Sequence, residues 1–308
     1  MDLFADSFDA CALSQALHAR TVSCTEVMRA YLDRIDRLNP HVNAIVSLQP
    51  REALLAQARE RDDELARGQS RGWMHGFPMA IKDLSETAGV PSTQGSPMLA
   101  KYVPKRDSLM VERMRAAGGI VIGKTNTPEF GLGSHTVNPV FGATRNAYDL
   151  TRSAGGSSGG STVSLALRLQ PVADGSDMMG SLRNPAAWAN VFGFRPSFGR
   201  VPKGPPGDGF FAQFSTDGPM GRCVRDVAML LSVQAGRHEA APLSLPGDGR
   251  EFASLQPAEM KGLRVGWLAD LNGSLPMEAG VLAACETGLA RMASAGAQVE
   301  PLALGFPP

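Results

Sequence analysis

Three stretches of the chain hold residue types capable of covalent chemistry. Lys82 closes the apolar run Phe77-Pro78-Met79-Ala80-Ile81, which puts an amine at the end of a buried-type strand, where burial favours its neutral form. The run Ser153-Ala154-Gly155-Gly156-Ser157-Ser158-Gly159-Gly160-Ser161 is a Gly/Ser loop feeding an apolar helix. Its backbone N–H groups can form an anion-binding concavity. The run Asp174-Gly175-Ser176-Asp177-Met178-Met179-Gly180-Ser181-Leu182-Arg183-Asn184-Pro185-Ala186 is a second tight loop at a helix start. A hydroxyl is a weak nucleophile until a base takes its proton, and a desolvated lysine can be that base. Local context alone leaves a second reading of Lys82 open, an ion pair with Asp83 at a strand end.

Two pattern matches point elsewhere and fail on context. Gly118-Gly119-Ile120-Val121-Ile122-Gly123-Lys124-Thr125 fits the phosphate-loop pattern, but a helix (VERMRAAG) precedes it and its interior is an Ile/Val/Ile strand rather than a loop. Gly155-Gly156-Ser157-Ser158-Gly159 fits the nucleophile elbow, which needs a strand before it and an Asp and a His after it. Only His238 follows, in a polar loop. His75 and His135 lie near the loops and are expected at the surface or behind the site.

The composition excludes several function classes. Thirty Lys+Arg balance thirty Asp+Glu over 308 residues, so no basic field gathers nucleic acid or anionic lipid. Cys11, Cys24, Cys223 and Cys285 form no CxxC pair, which argues against a zinc site and a disulfide framework. They read as buried or inert thiols, with Cys223 in the core. No apolar run approaches 18 residues and the N-terminus lacks a signal pattern, so a cytoplasmic protein without a membrane span is expected.

The elements that must position these residues follow a mixed α/β rhythm. A helix is expected over residues 9–19. A second begins at the capping box Ser23/Glu26 and runs to Pro40, the two forming an α-hairpin. A short strand follows near 43–48, then a solvated helix over 51–67 whose alternating charges face water. From Gly76 short apolar strands alternate with helices: FPMAIK, SLMVERMRAAG, IVIGKT. After a linker-like stretch, 240–249, come a strand (LRVGWL), a helix near 277–294 and a strand (AQVEPLAL). The expected organisation is one domain, 1–308, with an N-terminal helical segment (1–70), a catalytic core (71–235) and the start of a C-terminal part (250–308).

The motifs GFPMAIKD, AGGIVIGKTNTPEF, the GGSSGGS loop, DMMGSLRNPA and GFRPSFGRVP, in that order, make the chain resemble the amidase signature family from about Ser23 onward. These are serine amidohydrolases with a Ser-cis-Ser-Lys triad. The resemblance implies a mixed, mostly parallel central sheet with helices on both faces. It implies hydrolysis of the C–N bond of a linear carboxamide to a carboxylate and ammonia or amine, without cofactor or metal. By motif, Lys82 corresponds to the general base, Ser157 to the cis-serine relay and Ser181 to the acylated nucleophile. The backbone N–H groups of Met178, Met179, Gly180 and Ser181 correspond to the oxyanion and substrate-binding loop, and Asp177, Arg183 and Ser158 to structural neighbours.

One departure stands out. The family has two glycines before the nucleophile, whereas Met179 and Gly180 stand there. Met179 is strained if its position needs a positive φ; otherwise its side chain narrows the acyl pocket. Arg183 reads as a buried partner of Asp177, with recognition of a substrate carboxylate as the alternative. The implied partner is a small amide substrate, with no nucleic acid or membrane, and homodimerisation is left open. An amidotransferase A subunit releasing ammonia from glutamine is a rival reading. A catalytically inactive homologue is another, since the family runs to 450 or more residues and the chain stops at Gly305-Phe306-Pro307-Pro308. The sheet edge and the helix stripe Val281, Leu282, Cys285, Leu289 and Met292 are then expected to lack cover, leaving the chain marginally stable or nearly inactive.

Overall fold

The computed structural model describes residues 2–204 and 210–303; the terminal Gly305-Phe306-Pro307-Pro308 lies outside them. The backbone forms two compact units, Met1–Leu255 and Gln256–Pro308, where the sequence suggests one domain; the division falls close to the expected start of the C-terminal part.

The first unit contains, in chain order, α1 (Ala10–His18), α2 (Cys24–Val42), β1 (Ile45–Val46), α3 (Arg51–Ala66), β2 (Pro78–Lys82), α4 (Leu109–Ala116) and β3 (Ile120–Thr125). After these come β4 (Val137–Asn138), β5 (Gly142–Ala143), α5 (Gly159–Ala166), β6 (Ala173–Asp177), α6 (Arg183–Trp188), β7 (Phe192–Gly193), β8 (Thr216–Gly221) and α7 (Val224–Gln234). Two three-stranded sheets carry the site, in the orders β1-β3-β2 and β6-β8-β7. β2 runs parallel to β3, pairing Ile81 with Lys124 and Lys82 with Thr125, while β6 runs antiparallel to β8. The mixed α/β character is as expected, and among the described residues the parallel pairs are β2/β3 and one in the second unit. There β9 (Arg264–Trp267) and β10 (Gln298–Pro301) flank α8 (Val281–Ser294). No residue of α8 is buried.

β2 and β6 lie side by side without a backbone ladder between them. Side chains from β6 and the turn before it close the seam. Ala80 N–H donates to Gln170 Oε1 (2.7 Å), and Lys82 N–H donates to the Asp174 carboxylate (3.1 and 3.2 Å). The main core packs α1, α2, α3, α4, α5 and α7 against β2 and β3, with Leu17, Leu32, Leu54, Phe77, Ile81 and Ile122 fully buried. A smaller cluster of Leu165, Ala173, Leu182, Ala186 and Met220 lies beneath the second loop.

Several local expectations need correction. The Ser23/Glu26 capping box forms, but α2 continues through Pro40 to Val42. Near a helix end proline disrupts little, and termination comes from Asn43 in the left-handed conformation, its N–H on Asn39 O. No α1–α2 hairpin forms as a packed pair: α2 packs on α3 and α1 on α7. α3 is not uniformly solvated, because Arg61 is buried beside Glu64 (3.0 Å). Cys223 is not core. It caps the N-terminus of α7, its sulfur accepting from Asp226 N–H (3.4 Å). Cys11 and Cys24 are buried, with burial pushing both thiols up to about 12, whereas Cys285 is exposed. The phosphate-loop match is strand β3, with Lys124 fully buried.

The Gly/Ser loop is held where α5 meets the end of β3. Gly160 N–H donates to Asn126 O (3.2 Å), and a Cβ on Gly160 would lie 2.3 Å from Asn126 N and 2.6 Å from Asn126 O. That contact is backbone against backbone and cannot relax by a rotamer change. Gly160→Ala is therefore expected to cost about 1 to 3 kcal/mol by overpacking. Gly288→Ala, within α8 and with nothing within 4 Å of its Cβ, should be neutral or gain up to about 1 kcal/mol. Thermal melts of both variants check this, and equal shifts would refute the close-approach account.

Candidate active site

The Lys82 side chain is 1% exposed at the end of β2. Its Nζ donates to Oγ of Ser157 (2.8 Å), Ser158 (2.8 Å) and Ser176 (2.9 Å), and to the Ser176 carbonyl oxygen (3.4 Å). No carboxylate forms an ion pair with it among the described residues: Asp83 instead accepts from Thr93 N–H and Oγ1 and lies 4.0 Å from Lys124 Nζ. The Lys82–Asp83 pair left open by the sequence does not form. Burial pulls the amine down to about 7, with the negative charges of Asp174 and Asp217 partly opposing it.

Ser157 and Ser158 reach the amine from the loop before α5, and the Gly156–Ser157 peptide is cis. Ser176 reaches it from β6, a strand of five buried residues, ADGSD, whose polar character looks wrong for a core strand. The reason is that Asp174 and Ser176 meet Lys82 and the seam, while Ala173 joins the apolar cluster of Leu165, Leu182 and Met220. The sequence reads Ser176 as part of a loop and assigns neither it nor Asp174 a role; a polar strand next to an apolar one is the signal that points to them.

Ser181 lies on the loop between β6 and α6. It is partly exposed, and no hydrogen bond joins it to Ser157 among the described residues. The loop carrying it is folded back on Asp177, whose Oδ1 accepts from Gly180 N–H (2.7 Å) and Oδ2 from Leu182 N–H (3.1 Å). Arg183 adds a two-point contact, Nε to Oδ2 at 3.0 Å and Nη2 to Oδ1 at 3.2 Å, and Arg195 a further one to Oδ1 at 3.0 Å. Burial alone would raise the Asp177 carboxyl, but the Arg183 contact and the two backbone donors outweigh it and hold the group at about 2. The Asp177–Arg183 pair exists as expected, with one correction: the carboxylate is buried while the arginine side chain is 56% exposed.

Gly180 adopts φ +110° and cannot be exchanged freely, since a Cβ would also fall 2.6 Å from Asn184 Nδ2. Met179 has no positive φ, so the methionine is unstrained, and it is 87% exposed in front of the loop. Gly180 N–H is taken by Asp177, which removes it from the set of free donors expected there. The N–H groups of Met178, Met179 and Ser181 have no acceptor among the described residues. A cavity of about 520 Å³ opens beside Ser176, bounded by Glu86, Gln94, Phe198, Lys203 and Asp217.

Of the histidines, His75 is fully buried and not at the surface, bonded to Arg61 O (2.9 Å) and Arg71 N–H (3.1 Å). His135 is exposed and bonded to Ser153 Oγ (2.8 Å). Asp9, Cys11 and Asp226 converge elsewhere, but the carboxylates are engaged by the N–H groups of Ala10, Cys11 and Ala12, as helix caps. No helix among the described residues is long and apolar enough to cross a membrane.

The amidase family profile matches residues 26–307. The chain is 37% identical over 294 residues to the A subunit of a glutamyl-tRNA(Gln) amidotransferase from Carboxydothermus hydrogenoformans, covering 95% of this chain and 60% of that protein. It is 37% identical over 288 residues to an acylamidase of Rhodococcus erythropolis, covering 93% and 60%. Among solved structures, a bacterial aryl acylamidase of the amidase signature enzymes superposes with a TM-score of 0.89 at 31% identity, covering 97% of this chain and 62% of that one. The chain thus spans about 60% of the length of the curated relatives it matches. The motifs, the fold and the family match agree over nearly the whole chain, which belongs to the amidase (amidase signature) family.

Proposed function

We propose that the protein hydrolyses a carboxamide through an acyl-enzyme on Ser181, with Ser157 relaying the proton to Lys82. The observation that carries this reading is a fully buried amine, without an ion pair among the described residues, surrounded by three serine hydroxyls. Those hydroxyls are not equivalent. Ser158 Oγ donates to the Ser176 carbonyl (3.3 Å), so toward Lys82 it acts as acceptor. Ser157 Oγ has Lys82 as its one partner among the described residues, and its proton is the one a neutral amine can take.

In the reaction, Ser181 Oγ attacks the amide carbonyl while its proton passes to Ser157 and the Ser157 proton to Lys82. The ammonium then returns a proton along the same path to the departing nitrogen, and water repeats the sequence on the acyl group. Negative charge on the carbonyl oxygen would be met by the N–H groups of Met178, Met179 and Ser181, each such donor worth about 3 kcal/mol in acyl transfer. Closure of Ser181 onto Ser157 would accompany substrate binding, since catalytic hydrogen bonds tighten in the complex.

A second reading, release of ammonia from glutamine for a partner protein, is favoured by the likeness to the amidotransferase protein of Carboxydothermus hydrogenoformans. Glutamine turnover against that of anilides and simple amides separates the two. Either reading suits a reducing cytoplasm, where the four free cysteines stay thiols.

Ser181→Ala is expected to abolish covalent labelling by a fluorophosphonate, with the wild-type adduct mapped to Ser181; an adduct on Ser157 would revive the nucleophile-elbow reading. Gly180→Ala should depress labelling at least tenfold, because the positive φ and Asn184 both resist a Cβ; labelling at the wild-type rate would show that the loop geometry is dispensable. Lys82→Ala should be nearly as damaging as loss of Ser181. Since the base must be neutral and burial places Lys82 at about 7, activity should rise from acid pH, reach half its plateau near neutrality and level off above it. Asp177 stays ionised throughout that range, so the charge that folds the Ser181 loop is constant across the rise. A flat profile would rule out a lysine base.

A further inference from the structure

Asp174 is fully buried on β6, and both its carboxylate oxygens face the backbone N–H of Lys82 (3.1 and 3.2 Å) across the seam where β2 and β6 have no ladder. It forms no ion pair among the described residues, which sets it apart from the charges around it. Asp217 on β8 pairs with Lys203 (3.1 Å). Asp177, at the end of β6, is held by Arg183 and Arg195. Lys124 on β3 donates to Ser85 O and Thr87 Oγ1 (2.8 Å) and lies 4.0 Å from Asp83. Asp174 is therefore the carboxylate near Lys82 that no cation touches among the described residues, with Lys124 acting on it only through space.

We propose that Asp174 is a positioning residue for Lys82: it fixes the lysine backbone across the seam and supplies the fixed negative charge that stabilises the ammonium formed when Lys82 accepts a proton. The inference rests on the proposed role of Lys82 as base. An apolar residue at this position would leave the Lys82 N–H without a partner and the ammonium without a counter-charge. The two groups face opposite demands. Burial lowers the amine to about 7 and raises the Asp174 carboxyl to about 6, with the Lys82 N–H and the positive charges of Lys124 and Lys82 drawing the carboxyl back toward its ordinary range. At neutral pH Asp174 is ionised and present to hold the transferred proton on the amine.

The test reads Lys82 directly. In protein carrying lysine labelled with carbon-13 at the ε position, the Lys82 signal is assigned by its loss in Lys82→Met and followed against pH in the wild type and in Asp174→Asn. The amide keeps the shape and one acceptor for the Lys82 N–H while removing the charge. The Lys82 midpoint is expected to fall by about one pH unit, with the acid limb of fluorophosphonate labelling at Ser181 shifting equally. An unmoved midpoint in a folded Asp174→Asn protein overturns the proposal. If that variant does not fold, Asp174→Glu decides: the retained charge should leave the Lys82 midpoint where it is in the wild type, and a fall of about one pH unit refutes the proposal. Labelling retained in Lys82→Ala would instead defeat the base reading, while the midpoint shift would still decide whether Asp174 acts on Lys82.

Discussion

Everything in the site follows from burying one amine. Removing Lys82 from water so completely that its proton is held at about 7 instead of 10.5 costs about 5 kcal/mol for the charged form, at roughly 1.4 kcal/mol for each pH unit. The neutral form must then be fully hydrogen-bonded, because an unsatisfied amine in the core would be costly in its turn. Three hydroxyls and a carbonyl meet that need, and they come from two elements that lie 75 to 94 residues after Lys82 in the chain. The loop before α5 must bring two consecutive serines to one nitrogen, and β6 must lie close enough to offer a third. The close approach of α5 to Asn126 through Gly160 and the polar make-up of β6 are consequences of that requirement.

The nucleophile loop answers to a different constraint. It is shaped by Asp177, which collects two backbone N–H groups and two guanidinium groups on one buried carboxylate. The Lys82 cluster and the Ser181 loop are thus built by separate networks that share strand β6, with Ser176 facing the amine and Asp177 closing the loop. Asp177 ionises far below the range in which Lys82 changes charge, so the loop keeps its shape while the base titrates. Met179 fits this arrangement because the fold-back is carried by Gly180, which alone in the loop takes a positive φ; the methionine side chain is left to face solvent.

How much of this was legible in the sequence depends on the kind of signal. Periodicity and caps mark α2, α3, β2 and β3 to within a few residues, because the apolar spacing of Val27, Tyr31 and Ile35 and the Ser23/Glu26 box are local features. Lys82 stands out for the same reason, as a charge at the end of an apolar run. The packing of α1 on α7 joins elements roughly two hundred residues apart and no local pattern encodes it, whereas the Cys223 cap on Asp226 N–H is local and is hidden because the capping atom is a thiol rather than a hydroxyl or carboxylate. Ser176 and Asp174 are hidden by composition: a strand reading ADGSD has the residues of a turn, and its partners, Lys82 and the seam, decide its conformation.

Lys124 shows why the company of a buried lysine matters more than its burial. It lies on β3, one residue before the partner of Lys82 in the parallel register, and it is as inaccessible as Lys82. Its acceptors are a backbone carbonyl and a threonine hydroxyl, with the Asp83 carboxylate at 4.0 Å. A carbonyl can only accept, and a nearby carboxylate favours the cation, so this site asks for the ammonium and holds it to about 8 despite burial. Around Lys82 most acceptors are hydroxyls, which can turn and donate once the amine loses its proton. That reversibility is what a proton relay needs, and it distinguishes two lysines that the sequence presents in similar strand-end settings.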